Sequence, residues 1–295
     1  MNLIKVFVSI FLLLPLFANS STDVEVSEEE KYAKWAESVW NSLDRMTGEI
    51  KLPNAVATLN VPENFYYLAP KDAEKVLVDV WGNPPGQNTL GMLFPSEMTP
   101  FDADSWAVSI QYEEDGYVSD GDADDINYSE LLEQMKSDTN LVSQERVKQG
   151  YEAIELVGWA SPPYYDSATN KLHWAKEIKF ANSAINTLNY NIRVLGRKGV
   201  LVLNFIAQID QQQLIETKLN SVLALAEFDQ GSKYSDFDPD MDDVAAYGLG
   251  ALVAGKVIAK TGFLAVAFLF IKKFSVIFII AIGAFVKRMF KRKEA

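Results

Sequence analysis

Runs of apolar residues at two different spacings divide this chain into a serial set of elements. Trp35, Val39 and Leu43 recur every four residues, which predicts a helix over 32–46 ended by Gly48. Alternation over 55–61 predicts a strand, and Pro62-Glu63-Asn64 a turn before a further strand at 65–68. Helical spacing returns over 72–81 at Val76, Leu77 and Val80. The following Gly82-Asn83-Pro84-Pro85-Gly86 must be loop, since proline removes a donor and fixes φ. Strands follow at 90–94 and 105–112, then a turn at Asp115-Gly116 into Tyr117-Val118. A helix over 127–135 extends, with a break, toward Lys148. Four strands come in series at 153–159, 172–180, 188–195 and 200–207, the last two joined by the tight turn Gly196-Arg197-Lys198-Gly199. A helix over 211–226 turns Leu214, Leu219, Val222 and Leu223 toward the core. Serial strands with few crossovers, flanked by helices, predict an α+β fold with a mainly antiparallel sheet.

The pattern changes at both ends. Lys5, the apolar run Val6 to Phe17 and the small residues Ala18-Asn19-Ser20 read as a secretory signal over 1–20, cleaved after Ser20. An uncleaved anchor is the alternative, but the run is shorter than the ~20 residues a span needs. Residues 21–31 form an acidic, flexible leader, and 32–235 the folded domain. An acidic linker and a glycine-rich, membrane-proximal helix are expected over 236–260. A C-terminal transmembrane helix is expected over 261–290, and a basic cytoplasmic tail over 287–295.

The span has two registers. One over 261–286 sets Lys272 and Lys273 mid-membrane, at about 2.5–3.5 kcal/mol each. The other, over 274–290, lets them snorkel to one face while Lys287 and Arg288 reach the other. A helix lying on the inner leaflet is a further arrangement. The positive-inside rule puts the tail in the cytoplasm. The expected topology is therefore single-pass in a bacterial inner membrane, with the N-terminal domain in the periplasm of a Gram-negative cell.

Charge sharpens this picture. The chain carries 27 Lys plus Arg against 40 Asp plus Glu, a net charge of −13. Ten of those bases and one acid lie in the two ends, leaving about −22 on the middle. Such a surface repels nucleic acid. There is no cysteine, so neither disulfides nor thiol catalysis enter. No cofactor is implied.

Candidate chemistry is sparse. His173 is the lone histidine. A catalytic reading would recruit Asp166 and a serine, yet no nucleophile elbow is present; a packed strand histidine is the plainer reading. Asp236, Asp238, Asp240 and Asp242, like Asp115 to Asp125, alternate as in the first half of a calcium loop. Asp125 and Met241 stand where the central glycine belongs, and Leu131 and Tyr247 where the closing glutamate belongs, so solvated acidic loops are expected. Gly250 to Val257 fits a phosphate loop except that Val257 replaces the magnesium-binding Ser or Thr. On a continuous helix, Gly248, Ala251, Gly255, Ala259 and Gly262 form a small-residue stripe, a face for self-association or for docking on another membrane helix. Lys256 and Lys260 lie on a neighbouring face and can reach the phosphates of inner-membrane lipid. Asn189, Asn191 and Arg193 share one face of a strand by period two. That face is either the solvent side of the sheet or a cleft wall. With Trp159 and Trp174 nearby, it can hold a sugar or peptide.

Several strings resemble one family. They are Trp81-Gly82-Asn83-Pro84-Pro85, Leu90-Gly91-Met92-Leu93-Phe94-Pro95 and Gly116-Tyr117-Val118-Ser119-Asp120, then Gly158-Trp159-Ala160 and Pro163-Tyr164-Tyr165-Asp166. Lys171-Leu172-His173-Trp174-Ala175-Lys176, the run from Leu188 to Arg197 and the run from Tyr247 to Lys256 continue the match. The chain resembles domain of unknown function 2167, a bacterial family of membrane-anchored proteins. The resemblance implies the topology above and no particular activity. The order of helices and strands also resembles, more loosely, the αβα sandwich of PsbP and Mog1. The expected function is a non-catalytic binding module of the cell envelope, with a carboxylate-dependent envelope hydrolase as the alternative.

Overall fold

The computed structural model describes residues 27–53 and 56–255. Among them no helix is long and apolar enough to cross a membrane. This corrects the expected fold class, which closed on a transmembrane helix: the architecture described is α+β without that element. The segments expected as signal peptide (1–20), transmembrane helix (261–290) and basic tail (287–295) lie outside the described residues.

The chain divides at Ser42 into two units. In the first, α1 (Glu28–Ser42) opens on a Ser-x-x-Glu box, with the Glu30 amide donating to Ser27 Oγ at 3.1 Å. Glu28, Glu29 and Glu30 in its first turn complement the helix dipole.

The second unit is built on an antiparallel sheet of eight strands. These are β1 (Arg45–Met46), β4 (Phe65–Leu68), β5 (Gly91–Pro95), β6 (Ala107–Glu113), β7 (Ile154–Asp166), β8 (Lys171–Phe180), β9 (Thr187–Leu195) and β10 (Val200–Gln208), in the order β1-β4-β5-β6-β10-β9-β8-β7. A smaller sheet runs β11-β3-β2, from β2 (Gly48–Lys51), β3 (Ala57–Val61) and β11 (Ala226–Phe228). The small sheet and α4 (Gln212–Leu223) cover one face of the large sheet. There Leu59, Ile215 and Val222 meet Val108, Ile192, Leu203 and Phe205, none of them exposed. On the other face, a second core gathers Trp174, Leu172, Leu195 and Val200 beneath α3 (Tyr128–Lys148) and α5 (Leu249–Ala254).

Two elements differ from their expected form for local reasons. α3 runs unbroken for 21 residues. Asn127 Oδ1 caps it by accepting the Glu130 amide at 3.2 Å, and its polar half is held by side-chain pairs such as Lys136–Glu133 (3.3 Å) and Gln134–Asp138 (3.0 Å). β7 continues to Asp166, past Pro162 and Pro163. It can do so because it is the edge strand and takes up the prolines through register shifts at Leu156/Gly158, Trp159/Ser161 and Ser161/Tyr164.

The expected linker is also corrected. Residues 236–254 belong to the folded domain: Val244 bridges Tyr117, and Ala245, Leu249, Leu252 and Val253 are buried in the second core. α5 is fastened from the acidic loop before α3. Asp122 accepts the Leu249 amide at 3.0 Å and the Gly250 amide at 3.4 Å. Gly248 lies so close to that carboxylate that any Cβ there would collide with it.

Candidate functional site

The face of the large sheet that bears the second core is not covered along its whole length. Toward the other end of the strands it forms the floor of a cleft of about 770 Å³, a size that suits a small-molecule ligand. The floor is polar. Ser109 and Gln111 come from β6, Asn204 from β10 and Asn189 from β9. The register aligns Ser109 with Asn204, and Asn204 with Asn191, so polar side chains cross three central strands side by side. Burying such groups without partners would cost about 1–3 kcal/mol each; Ser109 Oγ lies 3.3 Å from Thr89 Oγ1 and Asn191 Nδ2 donates to Asn189 O at 3.0 Å, whereas Asn204 Oδ1 has no such partner.

One wall is set by a switch in helical pitch. α2 (Pro70–Lys75) passes into a π turn, Val76–Val80, where the Trp81 amide reaches back to Val76 O at 2.9 Å. The turn delivers Trp81 to the rim, and its indole N–H donates to Pro100 O at 3.0 Å. The opposite wall comes from the end of α3 and the residues after it, Arg146, Tyr151 and Glu152.

The amide groups have a common polarity. Asn83 Nδ2 donates to Leu77 O (3.0 Å), Gln111 Nε2 to Gln87 O (2.8 Å) and Gln87 Nε2 to Pro84 O (2.6 Å). A carbonyl partner accepts only from the amide nitrogen, so each of these side chains turns its oxygen the other way. Asn204 Oδ1 and Ser105 Oγ, both in the lining, are shielded from solvent and bond to nothing. The charged groups at the walls are engaged. Asp102 accepts the Thr99 amide at 2.6 Å, Arg146 Nε donates to Glu152 O at 3.2 Å, and Glu152 accepts from Asn182 Nδ2 at 2.9 Å.

The residues singled out from sequence fall in several places. Asn189 lines the cleft. Asn191 and Trp174 share its face but are buried, at 5% and 1% exposure, so that face is not the solvent side. Arg193 lies two residues further along and sets its guanidinium over the Trp174 ring at 4.9 Å. Burial pushes the Arg193 pKa down to about 10, against the pull of Glu113 and Tyr247. Trp159 is in the second core, its indole donating to Tyr128 O at 3.3 Å. Lys176, which no reading of spacing picks out, stands opposite Asn189 in register. Burial, and then Arg193, lower its pKa to about 8.

His173 points to the other face of β8. It stacks on Tyr164 with ring centroids 4.8 Å apart and meets Tyr190 edge-on at 6.4 Å. Burial, helped by Lys171 and opposed by Asp166, pulls its pKa down to about 4. Asp166 makes no bond to it and instead accepts from Thr169 and the Ala168 amide.

The acidic loops serve as fasteners. Asp236 accepts the Gly231 and Lys233 amides, each at 3.0 Å, and Asp238 Oδ1 accepts the Asp240 amide at 3.0 Å. Arg197 Nε donates to the buried Asp242 at 2.6 Å, which holds that carboxyl below its usual range. Asp115 and Asp120 accept the Tyr247 and Tyr165 hydroxyls. Among the described residues no group of three His, Cys, Asp or Glu is placed to hold a metal ion.

The small-residue stripe does not form on one helix. Gly248 is extended before α5, Ala251 lies within it, and Gly255 ends it at φ +84°; Ala259 and Gly262 lie outside the described residues.

Fold and cleft together define an α+β domain of two antiparallel sheets with an open, amide-floored groove on its larger sheet. The chain belongs to the family described as protein of unknown function DUF2167, whose model matches residues 44–283. No curated protein matches it in sequence. Two solved structures are similar. The solution structure of cyanobacterial PsbP (CyanoP) from Synechocystis sp. PCC 6803 is 10% identical with a TM-score of 0.35, covering 64% of this chain and 93% of that one. A point mutant of protein Mog1 is 9% identical with a TM-score of 0.30, covering 63% and 96%. At these scores neither likeness carries an inference.

Proposed function

We propose that this chain is a non-catalytic binding module of the bacterial cell envelope and that the cleft over β6, β10 and β9 is its ligand site. One observation carries the reading: Asn204 Oδ1, an acceptor, and the Ser105 hydroxyl, which both donates and accepts, are shielded, bond to nothing in the protein and belong to residues lining the same cleft. A polar atom left so is costly unless something outside the chain completes it. The hydrolase alternative has less support. It needs two converging carboxylates, whereas Asp102 and Glu152 at the cleft are each tied to a neighbour. The signal-like start, and the apolar and basic character of 256–295, support a place at the outer face of the inner membrane.

A photo-crosslinking residue at Tyr151, on the cleft wall, tests this in living cells. It captures a discrete adduct, while the same residue at Thr217, on the exposed side of α4, captures none. Adducts at both positions, or at neither, contradict the reading.

A further inference from the structure

Resting on that reading of the cleft, we infer that its ligand is a neutral carbohydrate, a short oligosaccharide lying across the strands. Three features select this class. First, the floor offers oxygen acceptors. Asn83, Gln87 and Gln111 each give one amide N–H to a main-chain carbonyl, which turns the amide oxygen away from that carbonyl, and Asn204 and Ser105 carry oxygens without a partner in the protein. A ligand rich in hydroxyl donors matches that surface, and each hydroxyl also accepts from whatever donor stands beside it.

Second, the cleft lies over the middle of the sheet. β6, β10 and β9 are paired on both sides. No main-chain ladder is open there for an extended peptide, which is how sheets ordinarily capture peptides.

Third, the floor residues are uncharged, and the wall charges Asp102, Arg146 and Glu152 are engaged with this chain's own groups. Arg146 is the one cation among the described residues of the lining, set against the carboxylates of Asp102 and Glu152, so an anionic ligand would meet a net negative rim. Lys176 and Arg193 are not lining residues, and lie beyond Asn189 on the covered part of the face. Trp81, Tyr151 and Phe180, all half-buried at the walls, give flat apolar surface against which the C–H faces of sugar rings can pack.

The test pairs a binding readout with a stability readout on the full chain. Purified protein is applied to an array of neutral and acidic glycans and, in parallel, to an array of random peptides. The expected result is binding to neutral glycans, weakened about tenfold or more in Asn204→Leu, which loses the acceptor while keeping the same branched skeleton. The same substitution removes a shielded, unbonded oxygen, so the melting midpoint should rise by about 2–4 °C. A merely structural asparagine would instead melt lower. Tyr151→Ala, on the wall, should weaken glycan binding without moving the midpoint. Binding of peptides that both variants weaken would sink the carbohydrate assignment and leave the cleft as a site. Absence of binding on both arrays, or glycan binding indifferent to both variants, would sink the site as well.

Discussion

At the residue scale, buried titratable groups decide what can be measured. His173 holds a pKa of about 4 in the folded protein, with burial as the main cause, against about 6.5 when unfolded. The unfolded chain therefore takes up the proton first. Stability is complete above pH 6.5, is lost as pH falls toward 4, and levels off below it, a loss on the order of 3 kcal/mol. In His173→Gln that slope should flatten across the same window, as urea midpoints at pH 4.5 and 7.5 would show. An unchanged slope would mean that the imidazole is solvated. Lys176 carries the opposite instruction for design. Its charged form is disfavoured by burial and it ion-pairs with no carboxylate among the described residues. Lys176→Met should stabilise the protein at pH 7 by about 1–3 kcal/mol, discounted for its partial exposure. A lower denaturation midpoint in that variant would show that the ammonium has a partner.

At the element scale, the acidic loops do mechanical work. Asp122 caps α5 through two amides, so Asp122→Ala should cost about 1 kcal/mol. Limited proteolysis should then cut first within 236–254, and cleavage elsewhere would contradict the latch. At this scale the sequence is only partly readable. β9, by its alternation, and β10, by its nearly continuous apolar run, show themselves in the apolar pattern, and so does the hairpin turn between them. β1, β2 and β11 are only two to four residues long. They exist because a partner strand completes their hydrogen bonds, which no local pattern records. The polar second half of α3 reads as a break because its stability comes from a cap and from packing on β7. The aspartates of 236–242 read as a solvated linker or half of a calcium loop. Their oxygens in fact accept from Arg197 and from nearby amides, and a carboxylate's partner is a tertiary fact. The candidate site is legible to the same degree. Period two puts Asn189, Asn191 and Arg193 on one face correctly. The choice between open solvent and cleft, and the contribution of Ser109 and Asn204 from β6 and β10, depend on strand order.

At the scale of the whole molecule, the second core closes only when the chain beyond Tyr234 folds back. Ala245, Leu249, Leu252 and Val253 fill it over Trp174 and Leu172. A chain ending at residue 235 should therefore bind a hydrophobic dye and lose most of its cooperative unfolding, since Leu249, Leu252 and Val253, at about 1.5–3 kcal/mol each, approach the stability of an ordinary domain. A truncated protein that melts like the full chain would show that the segment is dispensable.

The central claim is that the cleft over β6, β10 and β9 is where this protein meets its ligand. Amide chemical-shift mapping on addition of a glycan fraction from the cell envelope tests it most directly. The account predicts perturbations concentrated at Ser105, Ser109, Gln111, Asn189 and Asn204, absent in Asn204→Leu. Perturbations that gather instead on α3 or the acidic loops, and that persist in the variant, would contradict it.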